Sequence, residues 1–157
     1  MSDLATLRVR IADTITGKNN HWEVRWILHG EAVLGVNLAQ AQYLSIDKEH
    51  RKATLSLPAC HVISSKVDHH RSEELGVKRL SWIASSGLQS LRDDVWRNAD
   101  EKVYTLAQHE DYLDATRLQT ERALCQLFQS VGWSIDYEWR SKDAEPSQAE
   151  ELVKAPR

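Results

Sequence analysis

The chain has few of the residues that build disulfide frameworks, flexible linkers or membrane spans. Its 157 residues include two cysteines, three prolines and six widely spaced glycines. No apolar run approaches the roughly 20 residues of a membrane-spanning helix, and no signal-peptide core is present. The scattered glycines also exclude a glycine-rich phosphate loop. We therefore expect the sequence to fold as a soluble domain.

A basic excess is also missing. Residues 1–86 carry eleven Lys/Arg and nine Asp/Glu, a net of +2, whereas residues 87–139 carry five and ten, a net of −5. The remaining residues balance, which gives the chain its net charge of −3. Because nucleic-acid-binding proteins need a basic stripe or patch, the acidic second half argues against a nucleic-acid partner.

The strongest pattern is a helical one that begins near residue 86. Ser86 and Gln89 have the spacing of a capping box at the start of a helix. Beyond them, apolar residues recur every three or four positions, which predicts one amphipathic helix: Leu88, Leu91, Val95, Ala99, Val103 and Leu106.

The apolar stripe is interrupted near His109 and resumes at Leu113, so we predict a second helix with Asp111 as its N-cap, with a single bent helix as the alternative. Gly132 follows the last periodic residue, at the left-handed position where helices commonly end in glycine. A final strand is predicted by apolar residues that alternate with polar ones: Trp133, Ile135, Tyr137 and Trp139.

The first half of the sequence predicts short strands. Apolar and polar residues alternate over residues 5–11 and again over residues 22–28, which is the pattern of half-buried strands. A turn is predicted at residues 17–20, and Gly30 with Glu31 is predicted to end the second strand.

A hairpin is predicted over residues 44–57 and a further strand over residues 60–67, whereas residues 68–80 show no assignable pattern. Strands followed by helices predict an α+β fold: a mostly antiparallel sheet of short strands packs against two long helices, and a final strand follows. We expect one domain over residues 1–139. The polar residues 140–157 are predicted to be a disordered tail.

One cluster has the chemistry of metal ligands. Asp68, His69 and His70 are adjacent, and His61 lies upstream. Imidazole and carboxylate groups are ligands of zinc and iron sites. Since neighbouring residues of a strand point to opposite faces, both adjacent histidines can bind one ion only from a loop. A metal site and a solvated turn therefore both remain open.

The two cysteines have no metal or redox spacing. We expect Cys60 and Cys125 to be buried free thiols, with a disulfide between them as the alternative. Cys60 and His61 also pair a thiol with a base, but neighbours in a strand face apart and do not readily form a hydrogen bond.

Three further candidates are weaker. Ser85-Ser86-Gly87 lacks the first glycine of the G-x-S-x-G nucleophile turn. An acidic run is expected to be solvated rather than to hold a cation: Glu110, Asp111 and Asp114. A group of large apolar residues is expected to pack in the core rather than to form a ligand or partner patch: Trp82, Ile83 and Trp96.

The order of these features resembles a known bacterial family. One strand ends in an apolar-Gly-apolar motif, here Leu34-Gly35-Val36-Asn37-Leu38, a hairpin strand ends in Leu57-Pro58, and an aspartate, Asp68, follows. Two helices, a glycine and a short aromatic strand complete the order. Over about residues 4–139 the chain is similar to the family known as domain of unknown function 4230. Asn37 replaces the aspartate of the family motif, which weakens a catalytic or ligand role at that position.

The resemblance implies no activity, cofactor or catalytic residue. It implies an N-terminal membrane anchor, of which this sequence shows none, so we expect either the soluble part of a membrane-anchored bacterial protein or a soluble relative. With no convergent catalytic set, we expect a non-catalytic protein-interaction or scaffold domain that binds another protein or a second copy of itself. The alternatives are a metal-binding module or metal-dependent enzyme that uses the histidine cluster, and a small-ligand domain with a tryptophan-lined pocket.

Overall fold

The structure is a computed structural model that describes residues 3–83 and 86–141. Seven strands and two helices follow one another in the order β1 Asp3–Lys18, β2 Trp22–Asn37, β3 Gln42–Asp47, β4 Lys52–Leu57, β5 His61–Val67, β6 Glu73–Arg79, α1 Leu88–Ala107, α2 Glu110–Ser130 and β7 Ser134–Trp139. The α+β class, the two successive helices and the final strand are confirmed. From residue 142 onward, the predicted tail lies outside the described residues.

The strands form two sheets rather than the single sheet that we predicted. In the first sheet β1 and β2 form an antiparallel hairpin, and both β5 and β6 pair antiparallel with the other edge of β2. In the second sheet β4 lies between β3, which is antiparallel to it, and β7, which is parallel. A short 3₁₀-helix, Leu38–Gln40, separates β2 from the second sheet.

The strands β1 and β2 are long, and the predicted break at Gly30 is wrong. β2 continues to Asn37, and Gly30 lies under α1, where a Cβ atom would be 2.6 Å from a methyl group of Val103. Gly17 is likewise a strand residue under Val95 rather than part of the turn. A glycine in a strand often marks a close approach of another element, and here both glycines admit α1.

The helix ends differ in detail from the predictions. Gly87, with φ of 90°, is the N-cap of α1, and Gln89 bonds to Asp93, so the capping box is wrong. The break between the helices is confirmed, but His109 rather than Asp111 caps α2: its Nδ1 accepts a hydrogen bond from the Asp111 backbone N–H. Gly132 has φ of 78°, as predicted for a glycine that ends a helix.

The core has a large and a small part. The buried face of α1 packs on the inner face of the first sheet through Leu91, Val95, Ala99, Val103 and Ala107. The smaller cluster places Leu124 of α2 on Leu55 and Leu57 of β4. Each fully buried aliphatic side chain contributes about 1.5–3 kcal/mol relative to an exposed one, so the α1 interface contributes most of the stabilisation.

Candidate functional site

The site begins with an interruption in the pairing of β2. β5 pairs with the stretch from Gly30 to Gly35, and β6 pairs with the stretch from Trp22 to Ile27. Between them, the backbone of His29 is bonded by the turn that joins β5 to β6. The Asp68 N–H donates to the His29 carbonyl at 2.7 Å, and the His29 N–H donates to Ser72 Oγ at 3.0 Å.

Asp68 organises this turn. Its Oδ1 accepts hydrogen bonds from the backbone N–H groups of His70, at 3.1 Å, and Arg71, at 3.2 Å. Its carbonyl accepts the Ser72 N–H and hydroxyl, at 3.1 and 2.8 Å. A short carboxylate that bonds the backbone two or three residues on is a common way to stabilise a turn. The structure therefore gives the predicted metal ligand Asp68 a local structural role.

The turn is also fixed against α1. The His69 ring lies 4.9 Å from the Trp96 ring between centroids, and Trp96 in turn packs edge-on against Trp26 at 4.8 Å. At the end of β5, the Val67 N–H donates to Asp100 Oδ1 at 3.2 Å. These contacts hold the turn beside the sheet.

The turn and the outer face of the first sheet enclose a cleft of about 660 Å³. Arg10 of β1, Glu31 of β2 and Lys66 of β5 are neighbours across the three strands, and they form its floor. Residues 68–71 form its wall. The cleft is open to solvent on one side, and its volume lies within the range of small-molecule sites.

The predicted metal ligands are only partly brought together. Asp68, His69 and His70 line the cleft, but His61 lies at the opposite end of β5, with its Nε2 3.6 Å from Asp3 Oδ1. Within residues 3–83 and 86–141, no three His, Cys, Asp or Glu side chains are arranged to hold a metal ion. Metal binding by the four predicted residues therefore stays a prediction.

Sequence reasoning missed His29 as a site residue. It lines the same cleft as His69 and His70, although it lies on β2 far away in the sequence. Ala12 is its cross-strand partner on β1. Only the pairing of β2 with the turn brings these imidazoles together, and no local spacing in the sequence signals it.

The thiols are free, and Cys60 is not arranged as a nucleophile. Cys60 is buried and Cys125 half-buried, so the predicted disulfide alternative is wrong. Burial raises the pKa of the Cys60 thiol to about 11 and outweighs the lowering effect of nearby Arg117. Nucleophilic cysteines need the opposite shift, because the thiolate is the reactive form.

The other candidates also have local explanations. Arg117 Nη1 lies 3.3 Å from Glu110 and 2.6 Å from Asp114, so an arginine occupies the acidic run. Trp96 is partly buried and packs against the core, as expected, but Trp82 is 86% exposed, so its predicted core packing is wrong. Ile83 is exposed as well. Ser85, of the rejected nucleophile turn, lies outside the described residues.

The tryptophan-lined pocket for a small ligand stays a prediction. Besides the cleft, cavities of about 350 and 380 Å³ lie beside β6 and beside the break between the helices, and no tryptophan lines any of the three. No helix in the described part of the chain combines the length and apolar character that a bilayer crossing requires.

Two motif positions that carried the family resemblance have structural roles. Asn37 Oδ1 accepts the Ala39 N–H at 3.0 Å and caps the 3₁₀-helix that leaves β2. Aspartate caps as well as asparagine, so the replacement keeps this function. At Gly35 a Cβ atom would lie 2.1 Å from the Leu4 carbonyl oxygen, so β1 can approach β2 there only over a glycine.

The chain was compared with protein families, curated proteins and solved structures. No curated protein and no solved structure matches it. The family model described as Protein of unknown function (DUF4230) matches residues 1–139. The strand motif around Gly35, the Leu57-Pro58 strand end and the helix pair all lie within that span. The chain therefore belongs to the DUF4230 family.

Proposed function

We propose that this domain is a non-catalytic protein-interaction domain that self-associates through β3. The observation that carries the proposal is the exposure of the whole strand. All six residues of β3 are exposed, including Tyr43 at 54%, Leu44 at 52% and Ile46 at 52%. A row of large apolar side chains on an uncovered strand is typical of an interaction site.

Before Asp47, the free edge of β3 lacks the charged residues and prolines that protect many edge strands, and a bulge between Tyr43 and Ser45 interrupts its pairing with β4. β3 pairs with β4 along one edge, and no strand of the described residues pairs with the other. Edge strands are commonly protected by lysine, proline or other charged residues. β3 has none before Asp47, whereas the edge strand β6 contains four charged residues: Glu73, Glu74, Lys78 and Arg79.

A second copy of β3 fits this edge. Antiparallel pairing about the strand centre would place Tyr43 opposite Ile46 of the other copy and Asp47 opposite Gln42. Tyr43 and Ile46 share one face, because they oppose Leu55 and Ala53 of the same face of β4. Apolar pairs therefore meet and no like charges are opposed, whereas parallel pairing would set Asp47 against Asp47.

A membrane tether outside this chain, which the family resemblance implies, would strengthen this pairing. Copies held on one surface have a high effective concentration for each other, so even a weak strand contact would be populated. Membrane association is thus part of the same proposal.

The test is the molar mass in solution over a range of concentrations, measured by light scattering. We expect the mass to rise from 18.0 kDa towards twice that value. Ile46→Lys should weaken association by about tenfold or more, because an ammonium group replaces an apolar contact at the junction.

Leu75→Lys is the matched control, since Leu75 is a comparably exposed residue on the edge strand β6. It should leave the association unchanged. A native chain that stays monomeric at the highest concentration would contradict the proposal, and so would equal effects of the two substitutions.

A further inference from the structure

The cleft beside β5 and the turn has an excess of cationic groups. Three basic side chains line it: Arg10, Lys66 and Arg71. Only two carboxylates oppose them. The Asp68 carboxylate already accepts two backbone N–H groups of the turn. Glu31 Oε1 lies 3.9 Å from Lys66 Nζ and 3.8 Å from Nε of Arg8, a residue just outside the cleft. The negative charge of Glu31 is therefore shared between two basic groups.

Among the described residues, Arg10 and Arg71 have no ion-pair partner. Within the described ranges, neither guanidinium has a carboxylate at ion-pair distance, although both line the cleft. Arg10 approaches from the strand floor and Arg71 from the turn wall. A guanidinium donates two parallel hydrogen bonds to an oxyanion, so two of them suit a group with several acceptor oxygens.

Three imidazoles add hydrogen-bond donors, from His29, His69 and His70. A neutral imidazole presents one N–H and a protonated one presents two. The surrounding basic groups disfavour a metal cation at the same place, because like charges repel. Anion recognition therefore fits this set of side chains better than metal coordination does.

The backbone around the cleft is already ordered. Its floor is the paired surface of β1, β2 and β5, and its wall is the turn that Asp68 stabilises and that His69 joins to Trp96. A site whose backbone is fixed before binding loses less entropy when the ligand arrives.

We propose that this cleft binds the phosphate group of a small organic phosphate, with Arg10 and Arg71 as the principal ligand-binding residues. The inference is independent of self-association, because the cleft belongs to the first sheet and β3 to the second.

The test is calorimetric titration of the full chain with inorganic pyrophosphate, at constant ionic strength set with sodium chloride. We expect saturable binding to one site per chain. Arg10→Gln and Arg71→Gln should each weaken it by about tenfold or more, since each removes a charge-assisted pair of hydrogen bonds. Thermal unfolding followed by circular dichroism checks that both variants fold, as the exposure of both side chains leads us to expect.

Arg25→Gln is the matched control. It removes the same charge from an exposed β2 residue that does not line the cleft, and it should change the affinity by less than about twofold. An equal loss in this variant would show non-specific charge attraction and would overturn the proposal. Vesicles containing phosphatidic acid are tested beside pyrophosphate, and binding of the vesicles alone, in an Arg71-dependent way, would identify a lipid headgroup as the phosphate source. Absence of binding to both would also overturn the proposal.

Titration with zinc in the absence of phosphate tests the alternative that the histidines of the cleft bind a metal ion. Stoichiometric zinc binding that survives Arg10→Gln and Arg71→Gln, together with no pyrophosphate binding, would assign the histidines to a metal and overturn the anion site.

Discussion

The two helices are held against the sheets by different chemistry. α1 buries an apolar face, and Val95 and Val103 lie directly over Gly17 and Gly30 of the first sheet. The packing depends on shape, because there is no space for a side chain between helix and strand. Apolar contact at this distance tolerates little change in volume.

α2 is held partly by hydrogen bonds. Its buried residues are Thr116, Thr120 and Leu124. Thr6 of β1 bonds to the Thr120 hydroxyl at 3.0 Å, and Glu121 accepts hydrogen bonds from Tyr137 and Trp139 of β7. Equal helical periodicity can therefore serve two kinds of interface, one limited by shape and one by polar pairing.

The largest effect is expected from adding volume under α1. Gly30→Ala places a Cβ atom 2.6 Å from Val103, and overpacking of a filled core costs about 1–3 kcal/mol. The free energy of unfolding in urea should fall by that amount with an unchanged slope. Gly76→Ala is the control, because no atom lies within 4 Å of its Cβ position.

The double variant Gly30→Ala/Val103→Ala tests whether shape limits the α1 interface. The new methyl group then fills part of the space that the valine leaves, so the double variant should be more stable than the sum of the single effects predicts. Strict additivity would show that shape does not limit the α1 interface.

A smaller effect is expected from the polar pair under α2. Thr120→Val keeps the shape but removes the hydroxyl that bonds Thr6, and unfolding should become easier by about 1 kcal/mol. Thr6→Val/Thr120→Val removes both hydroxyls of the pair and should recover part of the loss, because in the single variant the Thr6 hydroxyl is left with the long, 3.5 Å hydrogen bond to the Thr116 carbonyl. A double variant less stable than either single one would show that the Thr6–Thr120 pair does not hold α2 through its hydrogen bond.

The smallest effect concerns the thiols, measured with a thiol-reactive dye in native buffer. Cys125 should react first because it is half-buried, and Cys60 should react only when the α2 side opens. If the α2 interface is the weaker one, Cys60 should react faster than global unfolding allows. Equal rates for the two thiols would contradict the burial of Cys60.

The raised pKa of Cys60 also gives a sign for the pH dependence. An unfolded thiol loses its proton at lower pH than folded Cys60, whose pKa is about 11. At a pH between these two pKa values, the unfolded chain therefore binds fewer protons than the folded chain. The contribution of the protonated Cys60 thiol to stability is therefore fully present at neutral pH and is lost as the pH rises towards 11. Tyr137, with its pKa raised by burial to about 12, acts in the same direction, so Cys60→Ala should flatten the fall only in part.

Much of the fold was predictable because its signals are local. The three-to-four spacing in α1, the glycine at residue 132 and the alternation in β7 each depend on neighbours in sequence, and all are confirmed. β6 was missed because nearly all its residues are exposed, so it shows no alternation. Gly30 was misread because the helix that explains it follows much later in the chain.

The candidate site was predictable only where it is contiguous. Asp68, His69 and His70 lie together simply because they form one turn. His61 was grouped with them by sequence proximity, although a strand rises about 3.3 Å per residue and carries it to the far end of β5. His29 and Arg10 join the site through strand pairing, which has no local signal.

The parallel pairing of β4 with β7 has a consequence for the order of assembly. Lys52 pairs with Ser134 and Leu57 with Trp139, so the second sheet needs the last residues of the domain. During synthesis the β3–β4 hairpin is complete long before β7 and α2 emerge, and until then its apolar residues lack the cover that Leu124, Ile135, Tyr137 and Trp139 give them. The second sheet therefore closes only after β7 has been made, and the pairing of β4 with β7 is a long-range contact that forms late in folding.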